Sequence, residues 1–113
     1  MSSPRRNVLI TGAGSGVGRG LSICLAQQGH TIVATDLNLD TARETVAQIQ
    51  SASGQAEAHA LDVTSESDIQ RLLGDNGLLR LRVDTLINNA GLQHVAKLEE
   101  FPIEKWNLLI VLL

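Results

Sequence analysis

An α/β fold built on a doubly wound parallel sheet is what this sequence predicts, from three observations. Short apolar runs, most of them rich in β-branched residues, recur at residues 7–11, 31–35, 56–61 and 83–87. Segments with helical spacing of apolar residues separate them. A glycine-rich stretch, Thr11-Gly12-Ala13-Gly14-Ser15-Gly16-Val17-Gly18, joins the first run directly to the first helical segment. Runs of this kind suit strands buried on both faces, and right-handed crossovers between them leave the strand order 3-2-1-4.

Each element has its own reason. Asn7-Val8-Leu9-Ile10 and Thr11 precede the glycines as a buried strand. A helix follows from Gly16 to about Gln28, stopped by Gly29, with Val17, Leu21, Cys24 and Leu25 on one face as core. Thr31-Ile32-Val33-Ala34-Thr35 is a second strand ending in Asp36. Asn38 or Asp40 caps a second helix that runs to about Gln50 and faces inward through Ala42, Val46 and Ile49. Residues 56–61 form a weaker strand that ends at Asp62-Val63. Residues 64–68 supply caps for a third helix reaching about Leu73. The stretch 74–82 carries two turn signals and reads equally as a frayed helical turn or a loop. Residues 83–87 form the fourth strand, which delivers Asn88-Asn89-Ala90-Gly91, and a last helix is expected from Pro102 or Ile103 to the end of the sequence.

Ligand sites in such sheets lie at the C-terminal ends of the strands. Thr11 to Gly18, Asp36, Asp62-Val63 and Asn88 to Gly91 all fall at that one edge. The plan is that of a Rossmann-type sheet. Its glycine turn aims unpaired amides and the positive end of a helix dipole at an anion, which suits a pyrophosphate. In this reading Gly12 permits the turn, Gly16 leaves room for phosphate and Gly18 lets the helix approach the sheet. The spacing is not G-x-G-x-x-G. Counted from Gly12, Gly14 or Gly16, the last glycine is replaced by Val17, Arg19 or Leu21.

Composition narrows the class. With 43% hydrophobic and 19% charged residues and a formal charge of -3, nothing favours nucleic acid or an acidic membrane as partner. The polar start lacks the apolar core of a secretory signal, and the apolar run from Leu108 to Leu113 is too short to cross a bilayer. A soluble, cytoplasmic chain is expected. The single cysteine, Cys24, makes no internal disulfide and no metal site by itself. At 113 residues the chain is one domain, small for a nucleotide-dependent enzyme, and is expected to be a truncated one.

The residues Thr11-Gly12 to Gly16 and Gly18 spell T-G-x-x-x-G-x-G, which resembles the cofactor loop of the short-chain dehydrogenase/reductase family. The resemblance extends from about residue 5 to the end and covers the family's first half. It implies a nicotinamide cofactor held by Thr11, Gly12, Gly14, Ser15, Gly16, Val17 and Gly18. An acid after the second strand accepts hydrogen bonds from the adenosine ribose and repels a 2′-phosphate, so Asp36 favours NAD over NADP. Neither Ser15 nor Leu37, its neighbour in the site, supplies a cation. Asp62 and Val63 resemble the family's adenine contact. Asn88-Asn89-Ala90-Gly91 resembles the motif that ties the central strands together and lays Asn89, Ala90 and Gly91 against the cofactor ribose.

After that motif the sequence resembles the subgroup acting on 3-hydroxybutyrate, in which Gln93 stands at the place of a substrate-carboxylate ligand. The resemblance implies oxidation of a small hydroxy acid to a keto acid, and homotetramers when complete. The family's chemistry needs a tyrosine, a lysine four residues later and a serine. There is no tyrosine, and Lys97 and Lys105 lie in the wrong region. The 113 residues are therefore expected to bind cofactor without catalysing hydride transfer. The alternatives are a non-catalytic nucleotide- or partner-binding product, whose fourth strand would expose a bare edge, or a dehydrogenase for another alcohol.

Overall fold

The computed structural model describes residues 5–74, 76–89 and 109–112. Its elements are β1 (Asn7–Ile10), α1 (Gly16–Gln27), β2 (Thr31–Asp36), α2 (Leu39–Ser51), β3 (Ala56–Ala60), α3 (Glu66–Leu73), α4 (Gly77–Arg80), β4 (Thr85–Asn88) and β5 (Leu109–Leu112). The sheet order is β3-β2-β1-β4-β5. The first four strands are parallel, with Leu9 opposite Val33 on one side and Leu86 on the other. The predicted 3-2-1-4 order and the doubly wound class are therefore present, with one strand added.

That strand corrects an expectation. Leu109–Leu112 is not helical: it pairs antiparallel with β4, with Leu86 opposite Val111 and Ile87 opposite Ile110. An unbroken apolar run has no period to separate helix from strand. The open ladder of β4 supplies the backbone partners that decide it. The edge of β4 expected to be bare is thus covered.

Alternation along the strands splits the core in two. Val8, Ile10, Ile32, Ala34 and Ile87 face α1 and α2, packing with Ala26, Val46 and Ile49. Leu9 and Val33 face the opposite way, with Val83, Leu73 and Leu81. Helix α2 begins at Asn38, whose side chain accepts from the Asp40 amide, and α3 at Ser65, whose side chain accepts from the Asp68 amide. The ambiguous stretch 74–82 resolves as the single turn α4, entered through Asn76 in the left-handed region.

Both long helices end in the same device. After α1 the His30 amide reaches Leu25 O and the Gly29 amide reaches Ala26 O; after α2 the Gly54 amide reaches Ile49 O and the Ser53 amide reaches Gln50 O. Each is a Schellman closure. Its left-handed residue is Gly29 (φ 97°) in the first but Ser53 (φ 67°) in the second, so the stop after α2 is not set by its glycine. Gly54 is needed for another reason: a Cβ there would lie 2.6 Å from the Ile49 side chain.

Helix α1 departs from the predicted face. It buries Gly18, Ser22 and Ala26, while Cys24 is exposed and Leu21 and Leu25, partly covered, pack against the core as expected. Cys24 as core is thereby corrected. The helix lies so close to the turn that its innermost stripe admits only small side chains, and hydrophobicity does not mark them. Among the described residues no helix is long and apolar enough to cross a membrane.

Candidate functional site

The C-terminal ends of β1, β2, β3 and β4 bring together the segments that the sequence singled out. At the centre is the turn from Thr11 to Ser15. The Thr11 amide donates to Ile87 O at 3.1 Å. The Thr11 hydroxyl donates to Asn88 Oδ1 at 2.8 Å and accepts from the Asn89 amide at 2.9 Å. The central strands are therefore sewn together by side chains just beyond their ladder.

The glycines do distinct work. Gly12 and Gly16 have φ of 64° and 55°, the region that side chains disfavour. Around Gly16 the space is open, with nothing within 4 Å of a Cβ. A Cβ on Gly18 would instead collide with Gly12 O and come 2.6 Å from Asn89 Nδ2. Ser15 occupies the N-cap of α1 in extended conformation without a side-chain cap bond, and the first turn holds no acid. An anion placed there would meet a helix N-terminus whose own first turn offers no competing carboxylate.

Asp36 faces this turn. Its Oδ2 accepts from the Gly14 amide at 2.8 Å and its Oδ1 from the Asn38 amide at 3.1 Å. The carboxylate is thus oriented by one bond from the turn and one from the start of α2. Leu37, beside it, is 73% exposed, and Val17 at the head of α1 is 62% exposed. Both are apolar side chains open to solvent at the edge where a ligand would lie.

Asp62 comes to the same edge through the Leu61 amide, which donates to Asp36 O at 2.9 Å. Its own side chain is partly engaged, Oδ1 accepting from the Thr64 amide at 2.9 Å and the Thr64 hydroxyl at 2.6 Å. Val63 is half-buried beside it. Asp68 braces this loop by accepting from the Asp62 amide at 2.6 Å. That amide, and after it the Arg71 guanidinium, holds the Asp68 carboxyl below its ordinary range.

Asn89 is 1% exposed; its Nδ2 donates to Gly12 O at 3.4 Å, while its Oδ1 is buried without a hydrogen-bond partner. A buried acceptor left in that state is expensive, and it lies beside the glycine turn. Ala90, Gly91 and Gln93 lie outside the described residues. No group of three metal-ligating side chains is gathered among the described residues.

Three residues were not singled out by the sequence reading. Thr41 lies against Gly14, where a Cβ would run into its hydroxyl. Thr45 is fully buried in α2 and donates to Ala13 O at 2.8 Å. Arg19 reaches across from α1 to Thr45, Thr41 O and Glu44. Their only sequence signal is that a threonine shares the inward face of α2 with Ala42, Val46 and Ile49.

Known proteins share this arrangement. The family model described as short chain dehydrogenase matches residues 6–112. The 7alpha-hydroxysteroid dehydrogenase of Escherichia coli K12 is 43% identical over 84 residues, covering 74% of this chain and 32% of that protein. The D-beta-hydroxybutyrate dehydrogenase of Cupriavidus necator is 34% identical over 115 residues, covering 95% of this chain and 42% of that one. Among solved structures, a 7alpha-hydroxysteroid dehydrogenase complexed with NADH and 7-oxo glycochenodeoxycholic acid superposes with TM-score 0.69 at 35% identity, over 88% of this chain and 39% of that chain. The chain thus spans well under half the length of these relatives.

Proposed function

The chain belongs to the short-chain dehydrogenase family, and on that premise we propose that it is the cofactor-binding part of an NAD-dependent oxidoreductase that converts a small hydroxy acid, 3-hydroxybutyrate, to acetoacetate. One observation carries the NAD preference: the Asp36 carboxylate is fastened to the Gly14 amide, facing the turn. An anion held there accepts the adenosine ribose hydroxyls and repels a 2′-phosphate. The Arg19 guanidinium is engaged with Thr41, Thr45 and Glu44.

The remaining assignments follow the edge of the sheet. Thr11, Gly12, Gly14, Ser15, Gly16, Val17 and Gly18 surround the pyrophosphate, whose charge the α1 dipole and backbone amides offset. Leu37 and Val63 cover the adenosine, with Asp62 toward the adenine amine. Asn89, Ala90 and Gly91 are assigned by the family resemblance to the second ribose, and Gln93 to the substrate carboxylate. The buried, unpartnered Asn89 Oδ1 and the open space over Gly16 both fit a ligand with hydroxyls and phosphates. When bound, the nicotinamide supplies the hydride acceptor. The 113 residues include no tyrosine to serve as the general acid/base of the family's chemistry.

Calorimetric titration of the chain tests the cofactor half. NAD is expected to bind more tightly than NADP by roughly tenfold or more, and Asp36→Asn to erase the preference. Failure to bind either dinucleotide sinks the reading. Reduced-cofactor absorbance in the complete enzyme tests the substrate. A second substrate class, a hydroxysteroid, is favoured by the 43% identity to the E. coli protein, although that match covers 74% of the chain against 95% for the hydroxybutyrate relative. Turnover of one substrate and not the other separates them, whereas NAD binding with no turnover of any alcohol identifies a non-catalytic nucleotide-binding product.

A further inference from the structure

The Ala13–Gly14 peptide is gripped at both ends by different elements. Its carbonyl oxygen accepts from the Thr45 hydroxyl at 2.8 Å, and its N–H donates to Asp36 Oδ2 at 2.8 Å. A trans peptide is planar, with its C=O and N–H pointing in opposite directions, so fixing the oxygen fixes the hydrogen. The flipped orientation would turn a carbonyl oxygen toward the Asp36 carboxylate, setting two acceptors against each other.

Thr45 is well placed to prevent that flip. It is fully buried, so its hydroxyl has no water to exchange with. Arg19 Nε donates to the same hydroxyl oxygen at 2.9 Å and occupies it as an acceptor. The hydroxyl hydrogen is left to the Ala13 carbonyl at 2.8 Å, with Thr41 O a longer alternative at 3.3 Å. Arg19 Nη2 also donates to that Thr41 oxygen, at 3.2 Å. The other half of Ala13 is held as well, its amide donating to Thr35 O at 2.9 Å.

We propose that Thr45, steadied by Arg19, is a positioning residue for dinucleotide binding: it locks the Ala13–Gly14 peptide so that the Gly14 amide orients Asp36 and no carbonyl faces the incoming phosphates and ribose. The inference rests on the dinucleotide reading above and adds to it the part of α2 that sets the geometry. Its mechanism is independent of the contacts from Asn88 and Asn89, which fasten the turn from the side of β4.

The test pairs affinity with amide hydrogen exchange on the 113-residue chain. In Thr45→Val the NAD dissociation constant is expected to rise roughly tenfold. The Gly14 amide should exchange roughly tenfold faster, while the β1 amides keep their protection. Thr45→Ser, which keeps the hydroxyl, should restore both readings to within about twofold. If Thr45→Val fails to fold, Arg19→Met serves in its place, with an expected loss of about threefold in affinity and the same selective loosening of Gly14. Unchanged affinity and Gly14 exchange in the variant would overturn the inference. So would equal acceleration at Gly14 and β1, the mark of general destabilisation. A parent chain that takes up no NAD removes the dinucleotide reading itself, and the exchange at Gly14 then reports separately on the peptide lock.

Discussion

Helices α1 and α2 pack on the same face of the same sheet, yet they bury opposite kinds of side chain. Helix α2 sends in Ala42, Thr45, Val46 and Ile49, a face with bulk enough to fill the space over β2 and β3. Helix α1 sends in Gly18, Ser22 and Ala26. The difference is one of distance. α2 meets the sheet through aliphatic side chains such as Val46 and Ile49, whereas α1 begins inside the turn and has Gly12 O against its second glycine. Helix α2 gives the core its bulk; α1 adds Ala26, with Leu21, Ile23 and Leu25 partly buried against it, and brings its N-terminus to where a ligand is proposed to sit. The two should therefore fail in opposite ways, α2 when a residue is made smaller and α1 when one is made larger.

The largest effect is expected from Ile49→Ala in α2. The side chain is 1% exposed and belongs to the main core cluster, so its truncation removes buried methyl groups and leaves a cavity. About 3 kcal/mol of stability should be lost, read as a shift in the denaturant midpoint. NAD affinity of the folded fraction should change little. Gly18→Ala in α1 adds one methyl group and should cost about 2 kcal/mol, because the atoms it meets are the Gly12 carbonyl and the Asn89 amide, and backbone cannot swing aside. Here the dinucleotide should be lost along with stability. If Gly18→Ala proved neutral in both assays, the close approach of α1 would be wrong and the contrast would dissolve.

The same contrast explains what was legible beforehand. The strands of the parallel sheet, their order and the large residues on α2 announce themselves through hydrophobic runs and spacing. The face of α1 does not, because glycine, serine and alanine carry little hydrophobic signal. A search for apolar period then settles on Val17, Leu21 and Cys24, one position around the helix. Thr45 was hidden similarly: a buried threonine reads as a polar residue until its acceptor, Ala13 O, is placed. At the edge of the sheet, the positions of Asp36, Asp62 and Asn89 were readable because each stands at the end of a strand, and strand ends converge in a parallel sheet. The strand at Leu109–Leu112 was not, since its conformation depends on β4, distant in sequence.

A smaller effect, of opposite sign, is expected where α2 closes. Ser53 holds φ 67° in the position that glycine fills after α1. Ser53→Gly relieves the left-handed strain at some cost in unfolded-chain entropy, and should raise stability by about 0.5 kcal/mol. Thermal denaturation resolves this as an increase of a few degrees. Gly29→Ala, at the matching place after α1, should move stability the other way by about 1 kcal/mol.

The smallest effect is the sharpest test of the face of α1. Cys24 shares helical spacing with Val17 and Leu21, and a cysteine packed in a core would lose about 1 kcal/mol or more on conversion to serine, since a hydroxyl buried without a partner costs its desolvation. The structure instead leaves Cys24 exposed, with Gln28 Nε2 near its sulfur at 3.6 Å. Cys24→Ser should therefore shift stability by less than about 0.5 kcal/mol and leave NAD affinity unchanged. A thiol reagent should titrate the folded chain without a prior unfolding step. Slow labelling that tracks global unfolding would rotate α1 back to the face its hydrophobic period suggested, and Gly18, Ser22 and Ala26 would then have to lie away from the sheet.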